Sequence, residues 1–301
     1  MKIQQKKNDF NNQMEFPKRS NIWLLAIRPK TLAASLSPIL IGTAMALKTG
    51  FFDLLTFLFT LLTGLGIQIA TNLANDYFDY KKGADTSARL GPIRVTQAKL
   101  VSESGMIKML FFTFLTVLAS GSFLIWKGGA IFSLLIAAAL LFALIYTAGP
   151  FPIAYLGLGE VFVLVFFGPV AVAATYFLQV GQFHLQPVIA GLAPGLLSSA
   201  ILMVNNIRDI DEDQKAHKKT LAVRFGLPFG KNLYLFFSGS CTAPSPYALP
   251  SPPPHSTCKF DTSSILIFNS GSFQRPRSTI IQSPSRQDRK TLDGLYPYLL
   301  L

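Results

Sequence analysis

The sequence predicts an all-α protein, a polytopic bundle of membrane-spanning helices, and three observations carry that prediction. Half of its 301 residues are hydrophobic and only 14% are charged, with 26 phenylalanines and a mean hydropathy of +0.40, too apolar and too charge-poor for an ordinary soluble domain. Six apolar runs approach the ~20 residues that a helix rising ~1.5 Å per residue needs to cross a hydrocarbon core. The basic residues lie in short segments beside those runs, as the positive-inside rule describes. The net charge of +12 therefore reads as membrane topology, and no nucleic-acid partner is expected.

Residues 1–20 read as a disordered polar arm. Lys2, Lys6, Lys7, Lys18, Arg19, Arg28 and Lys30 precede the first run and place the N-terminus in the cytoplasm. The runs lie near 32–48, 54–75, 106–126, 129–147, 157–178 and 187–207. Counting crossings returns the loop after the second run (Lys81, Lys82, Arg89, Arg94, Lys99) and the loop after the sixth (Lys215, Lys218, Lys219, Arg224) to the cytoplasmic side. The opposite loops carry little beyond Lys48 and Lys127. No cleavable signal peptide is apparent, because the first apolar stretch comes late and more spans follow it. The two cysteines, Cys241 and Cys258, and the three histidines, His184, His217 and His255, lack the spacing of a disulfide framework or a metal site.

Two polar clusters interrupt this text. In "NLANDYFDYKKGADT", Asn72, Asp76 and Asp79 share one face if the second helix continues through Tyr80, with Gln68 a turn earlier and Gly83 and Asp85 marking the exit. In "NNIRDIDEDQKAHKKTLAVRFG", Asn205, Asp209 and Asp213 again recur every four residues. A solvated loop is one reading of each cluster. The other is a cation site: carboxylates one turn apart repel, ionisable groups near a membrane cost free energy, and a hard divalent ion relieves both. Oxygen-only donors favour Mg2+ or Ca2+. Arg94 and Arg208 beside the carboxylates point further, to a metal-bound polyphosphate gripped by guanidinium groups. Lys81, Lys82, Lys218 and Lys219 fit a positive-inside anchor as well as a phosphate contact.

At these residues the chain resembles the UbiA-type superfamily of intramembrane aromatic prenyltransferases. Within it, the closer resemblance is to the MenA branch, the 1,4-dihydroxy-2-naphthoate prenyltransferases of menaquinone synthesis. The first motif stands as Asn72, Asn75, Asp76, Asp79, Gly83 and Asp85, followed by a GPxR element at Gly91, Pro92 and Arg94. The second stands as Asn205, Asn206, Arg208, Asp209 and Asp213, then Lys219, Thr220 and Arg224. Tyr146, Gly149, Pro150 and Glu160 lie between them as in that branch, while His217 stands where it usually has glycine, implying a local shift of that loop.

The resemblance implies a UbiA-like fold and transfer of a polyprenyl group from polyprenyl diphosphate to 1,4-dihydroxy-2-naphthoate, with decarboxylation. Asp76, Asp79, Asp209 and Asp213 would hold Mg2+. Arg94, Arg208, Lys219, Asn72, Asn75 and Asn205 would bind the diphosphate. Tyr77 and Tyr146, with Tyr80, are candidates for shielding an allylic cation or contacting the acceptor, although an aromatic near a span end also serves as an interfacial anchor. The setting is the lipid bilayer of the inner membrane, with the site facing the cytoplasm. A 4-hydroxybenzoate acceptor is the alternative, against which the GPxR element argues. A divalent-cation transporter would leave the arginines unexplained and would place its site nearer the bilayer midplane.

The resemblance covers about residues 20–237, giving a prenyltransferase domain over 21–237. A seventh span starts at "KNLYLFF" and stops, and residues 238–301 are a Ser/Pro-rich tail with no run able to cross a bilayer. The resemblance implies about nine spans, so about three are missing. The abrupt change suggests a shifted reading frame or an assembly error, and an incomplete product that is unstable or inactive; translating the other two frames after codon 237 tests it.

Overall fold

A computed structural model describes residues 19–84 and 91–241. Asp85, Arg89, the arm at 1–18 and the tail beyond 241, with Cys258 and His255, lie outside the described residues. All regular structure among the described residues is helical: α1 (Arg19–Ile27), α2 (Pro29–Lys48), α3 (Leu54–Lys81), α4 (Glu103–Gly128), α5 (Ala130–Ile145), α6 (Gly159–Val165), α7 (Ala171–Val180), α8 (Leu185–Ala190), α9 (Leu192–Arg208), α10 (Ile210–Lys215) and α11 (Leu221–Cys241).

Among the described residues, five segments are long and apolar enough to span a membrane: α2, α3, α4, the α6–α7 unit Gly159–Val180, and the α8–α9 unit Leu185–Arg208. The remaining expected span, the run near 129–147, is α5, which at 16 residues is shorter. The expected continuation of the second span through Tyr80 occurs, since α3 runs 28 residues to Lys81. The seventh helix begins at Leu221, ahead of the stretch where the sequence shows it, and bends at Gly226 (φ 80°) just before Pro228.

The outside of the bundle is apolar, while its interior mixes apolar side chains with polar ones that hydrogen-bond between helices. Leu58, Leu62, Phe111, Phe112, Leu134, Leu141 and Ile201 face outward, whereas Thr63, Gln68, Asn72, Ser120, Ser199 and Asn206 are buried. Ser120 Oγ accepts from Thr63 Oγ1 at 2.8 Å, tying α4 to α3. Close approach depends on small residues: a Cβ on Gly42 would lie 2.7 Å from the Val172 carbonyl oxygen, so the α2 and α7 backbones come together there. Between α6 and α7 the chain opens into a π turn, Phe166–Val170, where Pro169 lacks an N–H and Gly168 leaves helical geometry (φ −120°, ψ −110°).

The end of the bundle remote from the acidic motifs is closed by ion pairing. Asp53 caps α3 through Leu55 N–H at 3.1 Å and pairs with Lys127. The Lys127 ammonium and the Thr56 hydroxyl pull the Asp53 carboxyl down to about 2. A depressed carboxylate contributes stability that is present above its unfolded value and is lost as pH falls through about 2. This closure therefore holds throughout the neutral range.

Candidate active site

The two acidic motifs, more than a hundred residues apart in sequence, meet at one small cavity of about 20 Å³, lined by Asp79, Ala84, Arg94, Asp209, Glu212, Asp213 and Lys218. Asp79 reaches it from the last turns of α3, whose 28 residues carry the helix past the apolar stretch to Lys81. Asp209 sits at a break: α9 ends at Arg208, Asp209 leaves helical geometry (φ −97°, ψ 12°), and α10 resumes. The i to i+4 relation survives the break, because Asp209 N–H donates to Asn205 O at 3.0 Å and Asp213 N–H to Asp209 O at 2.8 Å. Asp209 and Asp213 therefore stay on one face.

Cations already answer these carboxylates. Arg94, 8% exposed, places Nη2 3.5 Å from Asp79 Oδ2. Arg208 grips Asp209 in a two-point fork, Nε to Oδ1 at 2.7 Å and Nη2 to Oδ2 at 2.8 Å. Lys218 Nζ lies 3.4 Å from Asp213 Oδ1. Asp213 Oδ2 is buried with no hydrogen-bond partner among the described residues. Burial raises the Asp213 carboxyl to about 6 against the pull of Lys218, with Asp209 adding to the rise.

Tyr155, which the sequence did not single out, joins the two motifs. Its hydroxyl donates to Asp79 Oδ1 at 3.2 Å, its carbonyl accepts from Lys219 N–H at 3.1 Å, and its ring stands 4.8 Å from Lys82 Nζ and 5.7 Å from Lys218 Nζ. Its only signal was position, three residues after the Pro152 that follows the Gly149–Pro150 turn.

Other expected site residues take different places. Asp76, 1% exposed, turns to the 94–96 loop, where Oδ2 accepts from Val95 N–H at 3.1 Å and Oδ1 from Thr96 N–H at 3.0 Å. Asn72 donates to Ile27 O at 2.7 Å and Thr31 Oγ1 at 2.9 Å, and accepts from Gln68, bracing α3 against the α1–α2 junction. Asn75 accepts from Thr147 Oγ1 at 3.0 Å. Asn205 is half-buried on α9. Of the lysine pair, Lys218 lines the cavity and Lys219 is exposed. Tyr77 packs on the cluster of Ala26, Leu73, Val95 and Met106, and does not line the cavity. Tyr146 lies beside the site, within electrostatic range of Asp79, Asp213 and Glu160. Glu160 itself is buried and accepts from Asn206 Nδ2 at 2.8 Å.

His217 adopts φ 54°, the left-handed conformation glycine favours. A histidine held in this conformation carries steric strain between its Cβ and the backbone. His217→Gly is expected to raise stability by about 0.5–1 kcal/mol, checked by thermal unfolding in detergent.

No group of three or more His, Cys, Asp or Glu among the described residues is arranged to hold a metal ion by itself. The donor set nonetheless suits Mg2+. It is all oxygen, it includes the orphaned Asp213 Oδ2, and Mg2+ is held through one or two carboxylates with water and substrate phosphate completing the shell. A cavity of about 20 Å³ has room for one water or ion.

Comparison with known proteins identifies the family. Residues 35–258 match the UbiA prenyltransferase family, so the match runs past the composition change at 238. The chain is 41% identical over 223 residues to the 1,4-dihydroxy-2-naphthoate octaprenyltransferase of Haemophilus influenzae, covering 70% of this chain and 71% of that one. It is 38% identical over 217 residues to the enzyme of the same name from Escherichia coli, covering 69% and 70%. In fold it is similar to a digeranylgeranylglyceryl phosphate synthase (TM-score 0.52, 17% identity, 74% of this chain and 75% of that one). It is also similar to a UbiA homolog from Archaeoglobus fulgidus bound to DMAPP and Mg2+ (TM-score 0.50, 16% identity, 73% and 74%). With both motifs converging in a helical membrane bundle, and with relatives this similar over more than two thirds of each chain, the chain belongs to the UbiA prenyltransferase family.

Proposed function

We propose that this integral membrane protein is a Mg2+-dependent prenyltransferase that moves a polyprenyl group from its diphosphate to 1,4-dihydroxy-2-naphthoate, with loss of the carboxylate, for menaquinone synthesis. The observation that carries the reading is the convergence of Asp79, Asp209 and Asp213 with Arg94 and Lys218 at one cavity. Carboxylates alone suit a bare cation; carboxylates interleaved with cations suit a metal-bound diphosphate. That interleaving also disfavours a cation transporter.

Asp79, Asp209 and Asp213 would hold the metal. When bound, Mg2+ supplies charge neutralisation and Lewis acidity to the leaving diphosphate. Arg94, Arg208 and Lys218 take up the negative charge that grows as the allylic C–O bond breaks, the term that usually dominates such catalysis. Tyr146 presents a ring beside the site where the allylic cation would form. The electron-rich naphthoate ring then closes the new C–C bond. The unit carrying this chemistry is residues 21–237, in the inner membrane with the site toward the cytoplasm. The Ser/Pro-rich tail from 238 carries none of the proposed site residues.

Membranes containing the full chain, given a series of polyprenyl diphosphates with naphthoate and 4-hydroxybenzoate in parallel, test the reading. Prenylated naphthoate alone is expected, abolished by EDTA and restored by Mg2+. Equal use of hydroxybenzoate would move the acceptor assignment. Turnover in EDTA would remove the metal, and retained diphosphate binding with neither product would mark an inactive remnant.

A further inference from the structure

Asp76 stands in the first motif as an apparent partner of Asp79, yet the two carboxylates point to different tasks. Both oxygens of Asp76 accept backbone N–H groups, from Val95 at 3.1 Å and Thr96 at 3.0 Å. Consecutive backbone N–H groups turned to one anion form a small nest that suits a carboxylate without any metal. Burial around it is complete: Asp76 is 1% exposed, Val95 0% and Thr96 2%. Val95 is driven into the core with Ala26, Leu73 and Met106, and the segment then folds back on itself, Ala98 N–H to Arg94 O at 2.9 Å and Leu100 N–H to Val95 O at 2.9 Å. Immediately before this nest stands Arg94, itself buried, with Nη2 against Asp79 Oδ2.

We infer that Asp76 is a positioning residue that clamps the Val95–Thr96 backbone from α3 and thereby fixes Arg94 at the cavity, while Asp79 and the second motif serve the metal. The inference rests on the proposed reading of the site. Asp76 and Asp79 are three residues apart on one helix, neighbours on its surface, so the clamp and the cavity share a single rigid element. A displacement of the loop would carry the guanidinium with it. A buried carboxylate holding two N–H donors has little reason to give them up, since the donors would be left unpaired.

The test uses the full chain in detergent, first stripped of metal. Amide hydrogen exchange over residues 94–101 is expected to quicken about tenfold or more in Asp76→Asn, whose amide cannot accept both N–H groups, and to stay at the wild-type rate in Asp79→Asn. In turnover, Asp76→Asn should raise KM for prenyl diphosphate with the half-saturating Mg2+ concentration unchanged, and Asp79→Asn should raise the latter. Asp76→Asn added to Arg94→Ala should cost no more than Arg94→Ala alone, since both act through one guanidinium. Unchanged exchange in Asp76→Asn, or a Mg2+ requirement that moves as it does in Asp79→Asn, overturns the inference. If Asp76→Asn fails to accumulate, Asp76→Glu, which keeps the charge and displaces it by one methylene, is read the same way. The exchange arm needs no turnover, so a wild-type chain that transfers no prenyl group refutes the function and not the clamp.

Discussion

Asp79→Asn should lower prenyl transfer by about 10²–10³-fold in a chain that still folds. Asparagine has the size of aspartate, and its carbonyl oxygen can still accept from Tyr155, which donates to Asp79 Oδ1 at 3.2 Å. The backbone N–H of Ala84, which closes the end of α3 on Asp79 O at 2.9 Å, is untouched. What disappears is the negative charge that the Arg94 guanidinium faces across 3.5 Å and that Mg2+ would share with the diphosphate. Two losses then coincide. The metal loses an anionic oxygen, and Arg94 loses the partner that holds it at the cavity before substrate arrives. Initial rates at saturating acceptor, a Mg2+ titration and a thermal midpoint measured together decide the matter. A wild-type rate, or a collapse of rate with an equal collapse of the thermal midpoint, would take Asp79 out of the site. The same substitution at Asp209 should cost rate as well, but there it would also release Arg208 from its fork, so its phenotype is the less clean of the two.

The large features of this protein are legible in its sequence because they are written in period and length. Spans of apolar text give helices, and four-residue spacing puts Asp209 and Asp213 on one face even across the break at Asp209. What spacing cannot give is direction. Asn72, Asp76 and Asp79 share a face of α3, yet Asn72 braces Ile27 and Thr31, Asp76 holds the 94–96 loop, and only Asp79 of the three lines the cavity. Each outcome depends on a backbone segment returning from elsewhere in the chain, and a loop's N–H groups leave no mark on residue identity. Lys218 and Lys219 show the same limit at one-residue scale. Tyr155 was hidden because a tyrosine near a span end has an ordinary interfacial explanation, and its role emerges only when Asp79, Lys82 and Lys218 are placed around it. At His217 the sequence marked the position and implied a shifted loop, whereas the left-handed backbone found there is a conformation that residue identity alone did not give.

Asn206→Leu should destabilise the fold by about 3 kcal/mol, more than any substitution on the lipid-facing surface. Asn206 is 8% exposed and Glu160 2% exposed. Asn206 Nδ2 donates to Glu160 Oε1 at 2.8 Å, while Ser199 Oγ donates to Glu160 O at 3.0 Å. These contacts join α6 to α9, the helix that delivers Arg208 and Asp209 to the cavity. Leucine fills the volume but offers no donor, so the buried Glu160 carboxyl loses its side-chain hydrogen bond with no water to replace it. Glu160→Gln keeps an acceptor for Asn206 and should cost less than about 1 kcal/mol. The pair Glu160→Leu with Asn206→Leu should recover most of the loss, because removing both members of a buried polar pair is far cheaper than removing one. Unfolding of the four proteins in mixed micelles measures all three differences. If the double variant is no more stable than Asn206→Leu alone, the cost lies in the packing of α9 and not in a stranded carboxyl.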